Sequence, residues 1–77
     1  MARTVTYKGH RIDAHAVPVP DAEEGEWAAH AVIRVPGPGG SREQPLRDPD
    51  DRIFATAEDA EGYAVHLAIR WVDRHSP

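Results

Sequence analysis

Cysteine is absent from this sequence. Disulfide bonds and thiolate-bound metal sites are therefore excluded, and so is catalysis by a cysteine nucleophile. A chain of 77 residues without such cross-links depends on one small apolar core, and association with another chain would add to its stability.

Long apolar runs are absent as well. No segment approaches the ~20 apolar residues with which a helix crosses a bilayer. The N-terminal stretch MARTVTYKGH lacks the apolar middle of a signal peptide. We therefore expect a soluble, cytoplasmic protein with no membrane partner.

The chain has no excess of positive charge. Its net charge is −4 with neutral histidines, which provides no general attraction to nucleic acid or to anionic lipid. Five histidines are present, and protonation of all of them would make the formal charge slightly positive.

Convincing catalytic motifs are also missing. Asp73, His75 and Ser76 include the residue types of a catalytic triad, but neighbours at the end of one helix cannot hold a preorganised relay. The glycine-rich stretch 37–41 lacks the Gly-Lys-Ser/Thr ending and the following helix of a phosphate-binding loop. The stretch 48–51 lacks the glycine and the late glutamate of a calcium-binding EF-hand loop. We predict a protein that is not an enzyme, with no catalytic residue, no cofactor and no small-molecule substrate.

One strong helical pattern is present near the C-terminus. Apolar residues recur three and four positions apart over residues 57–74, which places them on one helix face. Thr56 stands at the N-cap position, and Asp59 completes an imperfect capping box. Because many of the apolar residues are alanines, we expect this helix to approach a flat surface closely, and a β-sheet is the natural partner.

Alternating apolar and polar residues predict β-strands in the first half of the chain. Lys8 and Gly9 are typical of a two-residue hairpin turn. Residues 36–51 are rich in proline, glycine and charge, so we predict a flexible loop there, with a short fourth strand near 43–46 as the open alternative. The three predicted strands cover about residues 3–8, 10–17 and 26–35.

The hairpin turn also predicts how the strands pair. Counting back from the turn places Val5 opposite Ile12. The alternation of the third strand then places Ile33 opposite Ile12, and His30 opposite His15 on the other face of the sheet.

The predicted fold class is therefore α+β, in a single domain over residues 1–77. An antiparallel sheet of three strands, or four with the open alternative, carries the C-terminal helix on one face. Trp71 is expected to pack between the helix and the sheet, near Ile33 or Ile12. The outer face of the sheet is left to solvent or to a partner.

Several short motifs of the chain resemble those of a group of small bacterial proteins. That group has a sheet of three or four strands followed by one C-terminal helix, and no assigned activity. The resemblance implies the same fold and implies no catalytic or binding residue. The motifs are Tyr7-Lys8-Gly9-His10, a mid-chain strand with Trp27, Phe54-Ala55-Thr56 followed by Asp59-Ala60, and Trp71-Val72-Asp73.

The outer face of the sheet is the candidate interaction surface. His15 and His30 lie side by side there and supply two metal ligands where a zinc site uses three or four, so we predict no metal site. We predict a small non-enzymatic protein-interaction module that binds a protein partner or a second copy of itself. The alternative is a nucleic-acid-binding domain that uses Arg11, His15, His30 and Arg34, although Asp13 and the net charge disfavour it. The candidate surface consists of Arg11, His15, Ala28, His30, Val32 and Arg34.

Overall fold

The computed structural model describes residues 2–20 and 25–75. It shows an antiparallel sheet covered on one face by a C-terminal helix, which confirms the predicted fold class. In chain order the elements are β1 (Ala2–Tyr7), β2 (His10–Pro18), β3 (Trp27–Val35), β4 (Arg42–Arg47), β5 (Ile53–Phe54) and α1 (Ala57–His75). No helix in the described ranges combines the length and the hydropathy needed to cross a bilayer.

Strands β1 to β4 lie side by side in chain order. Lys8 and Gly9 connect β1 to β2 with φ angles of 48° and 79°, the left-handed conformation that a tight hairpin turn requires. Ile12 lies opposite Val5 on one side and opposite Ile33 on the other, so the predicted pairing of β1, β2 and β3 is confirmed.

Strand β4 corrects the predicted flexible loop over residues 36–51. The loop prediction is wrong for residues 42–47, and the alternative of a fourth strand is confirmed there. Pro45 is tolerated because β4 is an edge strand, which needs hydrogen bonds on one side only. Leu46 lies opposite Ala31 and packs half-buried against the core, which anchors the strand.

Strands β4 and β5 pair in succession with the same edge of β3. Arg47 lies opposite His30, and Ile53 lies opposite Ala28. The residues between them, 48–52, leave the sheet and return to it.

The core between α1 and the sheet consists mainly of alanine. The largest side chains that are fully buried are Ile12, Ile33 and Val72. A core of small side chains brings the helix close to the sheet and buries little apolar area for each ordered residue, so we expect modest stability. The remaining buried apolar residues are Ala14, Ala16, Ala29, Ala31, Ala60, Ala64 and Ala68.

Trp71 does not occupy the central position that the helical pattern predicts. Its side chain is only partly buried, and the indole stacks on the imidazole of His75 with ring centroids 4.0 Å apart. The next residue, Val72, takes the fully buried position. The alanine-rich interface leaves no room for an indole between the helix and the sheet.

The start of α1 agrees with the predicted N-cap. The backbone N–H of Asp59 donates a hydrogen bond of 3.1 Å to the hydroxyl of Thr56. Glu58 and Asp59 place negative charge in the first turn, where the helix dipole favours it.

Candidate interaction surface

All six predicted surface residues lie on the outer face of the sheet, the face turned away from α1. Successive residues of a strand point to opposite faces, so the strand pairing decides which side chains are neighbours. On this face the side chains form four rows across the strands. The rows are Arg11, Arg34 and Glu43; Asp13, Val32 and Pro45; His15, His30 and Arg47; and Val17, Ala28 and Ile53.

The arginines of the outer face are matched by carboxylates. Exposed ion pairs contribute little to stability, about 0–1 kcal/mol, but they cancel much of the positive field that each arginine would project. The arginines of this face are therefore partly neutralised by carboxylates of the same chain. The pairs are Arg11 with Asp13 at 3.4 Å, Arg34 with Glu43 at 3.8 Å, and Arg47 with Asp51 at 2.8 Å.

One end of the outer face is apolar. Ile53 is 49 % exposed, and among residues 2–20 and 25–75 it is the one large apolar residue that is exposed to this degree. Together with Val17 and Ala28 it borders a shallow cavity of about 380 Å³, whose rim includes Arg47 and Arg52. We call Val17, Ala28 and Ile53 the apolar end.

Ile53 is the important surface residue that the sequence interpretation missed. A usable signal is present in the sequence, because Phe54 is a large apolar residue directly before the start of the helix. If Phe54 points towards α1, its neighbour Ile53 has to point to the opposite face. The pairing of β5 with β3 shows this arrangement, with Phe54 opposite Trp27 and packed against the core.

Asp48 holds the turn that carries Ile53 back to the sheet. It is 3 % exposed, and its carboxylate accepts hydrogen bonds of 3.0 Å from the backbone N–H groups of Asp50 and Arg52. The carbonyl of Asp48 also accepts a bond of 3.1 Å from the N–H of Asp51. The position of Ile53 is therefore fixed by a network of backbone hydrogen bonds.

His15 and His30 face each other in the third row and are half-buried. In the described ranges there is no group of three or more His, Asp or Glu side chains that could hold a metal ion. Two adjacent imidazoles can instead donate and accept hydrogen bonds.

A second cavity lies on the opposite side of the sheet, between α1 and β4. It has a volume of about 350 Å³ and is bordered by Tyr63, Leu67 and Arg70. The guanidinium of Arg52 lies over the Tyr63 ring, 5.0 Å from its centroid. Asp50 pairs with Arg52 at 3.3 Å, so this cavity has charges of both signs and no apolar side chain as exposed as Ile53.

The C-terminal part of α1 is tied to the hairpin turn by Asp73. Its carboxylate accepts hydrogen bonds from the hydroxyl of Tyr7 at 2.9 Å and from Lys8 Nζ at 2.8 Å. The bonds from Lys8 and Tyr7 hold the pKa of Asp73 below its ordinary value. The hydrogen bond to Asp73 raises the pKa of Tyr7 and of Lys8. These groups form a surface link between helix and sheet.

Glu61 is a buried carboxylate on the apolar face of α1 that the sequence interpretation missed. It is 4 % exposed, and its Oε2 atom has no hydrogen-bond partner among the residues that the structure describes. A count of spacing identifies the position, since Glu61 follows Ala57 by four residues and precedes Ala64 by three, which places it on the apolar helix face. A buried polar atom without a partner costs about 1–3 kcal/mol.

No protein-family model, curated protein or solved structure matches this chain. The resemblance to small bacterial proteins is therefore supported only in its architecture, an antiparallel sheet followed by one C-terminal helix.

Proposed function

We propose that this chain is a small non-enzymatic protein-interaction module that binds a partner protein on the outer face of its sheet. The observation that carries the proposal is the half-exposed Ile53 beside a cavity of about 380 Å³. Exposed apolar side chains that border a concave surface are typical of protein-binding sites. A location in the cytoplasm and a bacterial origin stay predictions from the sequence.

The energetics of this surface favour a partner with an apolar side chain at its centre. Complete burial of an isoleucine side chain is worth about 1.5–3 kcal/mol, so covering the exposed half of Ile53 is worth about 1 kcal/mol. Val17 and Ala28 add smaller amounts because both are already partly buried. The polar rim at Arg47 and Arg52 would then select partners by their polar groups.

The alternative, nucleic-acid binding through Arg11, His15, His30 and Arg34, uses the same face. Its arginines already pair with carboxylates of this chain, so a phosphate would have to displace Asp13 or Glu43. We therefore favour a protein partner.

Selection from a displayed random-peptide library tests the proposal. We expect the wild-type protein to enrich peptides with an apolar residue, and Ile53→Asp to lose their binding at least tenfold because a carboxylate would stand in the apolar contact. Ala55→Asp is the matched control, since Ala55 is also exposed and lies two residues away, and the substitution adds the same charge. Equal loss of binding in both variants, or no enriched peptide with the wild type, contradicts the proposal.

A gel-shift experiment with random duplex and single-stranded DNA tests the alternative. We expect no shift at moderate salt. Two results together would favour nucleic-acid binding over protein binding. The shift would disappear as salt is raised, and the double variant Arg11→Gln with Arg34→Gln would weaken it while Ile53→Asp would not.

A further inference from the structure

The two edges of the sheet differ in how they are protected. In an antiparallel edge strand, alternate residues direct their backbone N–H and C=O groups away from the sheet. Tyr7 and His10 flank the two-residue turn and form a hydrogen-bonded pair. Counting from this pair through the strand pairings identifies which residues of β1 and β4 direct their backbone groups away from the sheet, in its plane. We call these the outward-facing residues.

The β4 edge is protected against another strand. Its outward-facing residues are Glu43, Pro45 and Arg47. Pro45 has no N–H to donate, and its carbonyl already accepts a hydrogen bond of 3.2 Å from the side chain of Gln44. Proline and charged side chains are the usual means by which natural sheets prevent edge pairing.

Within the described residues the β1 edge has no proline and no charged outward-facing residue, and its one charged side chain, Arg3, lies on the helix side of the strand. Its outward-facing residues are Ala2, Thr4 and Thr6, and each directs its backbone N–H and C=O groups away from β2. All three are exposed, and threonine favours strands. This edge is therefore an open template for another strand.

We propose that a second copy of this chain pairs with β1, antiparallel and about a two-fold axis at Thr4. This register pairs all three outward-facing residues of β1, because Ala2 then lies opposite Thr6 of the second copy and Thr4 lies opposite its Thr4. The two sheets become one continuous sheet, and both helices lie on the same face of it. The arrangement is closed, since the β4 edge of each copy is protected.

The apolar flank of α1 fits this arrangement. Val65 and Ile69 stand two turns and one turn before Asp73, which bonds to the β1–β2 turn, so this stripe of the helix lies on the β1 side. Both residues are only partly buried, as is Val5 in β1. Across the two-fold axis the two stripes face each other and bury apolar surface in addition to the backbone hydrogen bonds.

The absence of cysteine allows a direct test by single-cysteine cross-linking. Residues in a hydrogen-bonded antiparallel pair have Cα atoms about 5.5 Å apart, within the range of a disulfide. We expect Thr4→Cys to form a disulfide-linked dimer rapidly under mild oxidation. The control is Glu43→Cys, which is also exposed and outward-facing but stands on the protected edge, and we expect it to cross-link at least tenfold more slowly.

Sedimentation of the unmodified protein supplies the second measurement. We expect concentration-dependent dimers, and we expect Thr4→Pro to weaken association about tenfold or more because it removes both hydrogen bonds at the two-fold axis. Equal cross-linking of the two cysteine variants, or a strict monomer by sedimentation, would overturn the proposal. Ile53→Asp should leave cross-linking through Thr4→Cys unchanged, so this result and the test of the outer face are independent.

Discussion

The same substitution, glycine to alanine, should change stability in opposite directions at two positions of this chain. Gly62 lies inside α1, and a Cβ atom built there meets no heavy atom within 4 Å. Gly9 is equally open, with nothing within 4 Å, but its φ of +79° is a conformation that favours glycine. The available space is therefore matched, and only the backbone conformation differs.

The magnitudes follow from this difference. Alanine is better than glycine in a helix interior by about 0.8–1.0 kcal/mol, so Gly62→Ala should stabilise the protein by about that amount. A side chain in the left-handed region costs about 1–2 kcal/mol, so Gly9→Ala should destabilise it. For a domain of this size, each kcal/mol moves the melting temperature by about 4–8 °C, and the melting temperatures of the two variants should differ by about 7 °C or more.

Urea unfolding followed by circular dichroism measures both effects at a protein concentration below that of self-association. The midpoints should move in opposite directions while the dependence on urea concentration stays the same, because the buried surface does not change. A Gly62→Ala variant that is less stable than the wild type would refute the reasoning. It would mean that the open side of the helix at Gly62 is in contact with something in solution.

Three further substitutions test the core and the helix end. Glu61→Met should raise the free energy of unfolding by about 1–3 kcal/mol because it removes a buried oxygen without a partner among the described residues. The exposed variant Glu58→Met should lower it by about 0.3–1 kcal/mol because it removes a favourable charge from the first turn of α1, and a loss of stability in both variants would show that Glu61 is satisfied in solution. Ala64→Leu should lower stability by about 1–3 kcal/mol or more, since the helix lies too close to the sheet for a larger side chain, and a neutral result in thermal unfolding would place the helix farther away. Asp73 has a pKa below its ordinary value, so its stabilising contribution is complete above the ordinary pKa of about 3.9 and is lost as pH falls through the lowered pKa. Asp73→Asn should therefore be less stable than the wild type at neutral pH and should show a smaller loss of stability in acid, and parallel pH profiles would contradict the role of its bonds to Lys8 and Tyr7.

The parts of the fold that depend on neighbouring residues could be predicted from the sequence. The two-residue turn at Lys8 and Gly9 determines the register of β1 and β2, and the alternation of β3 extends it. Strand β4 was predicted only as the alternative to a loop because its pairing is between distant residues, and its proline and charges resemble those of a loop. The position of Trp71 was wrong for a different reason, since helical spacing gives the direction of a side chain but not the width of the gap it enters.

The candidate surface could also be predicted only in part. The alternation of strands β2 and β3 was sufficient to place the six predicted residues on one face. The apolar end was not predictable as a unit, because Ile53 reaches it only through the carboxylate of Asp48 and the short β5 pairing. The turn at Asp48 and the β5 pairing both depend on backbone hydrogen bonds. The position of Phe54 indicates the direction of Ile53 but does not predict these bonds.

The excursion at residues 48–52 has a consequence for how this protein can diversify. It interrupts one edge of the sheet at a single place, closes on itself through Asp48, and supplies Arg52 to the rim beside Ile53. On its far side, Phe54 opposite Trp27 restores the pairing with β3. Because the carboxylate of Asp48 accepts bonds from the backbone of this segment, only changes that keep the N–H groups of residues 50 and 52 in place would leave Ile53 and the sheet undisturbed.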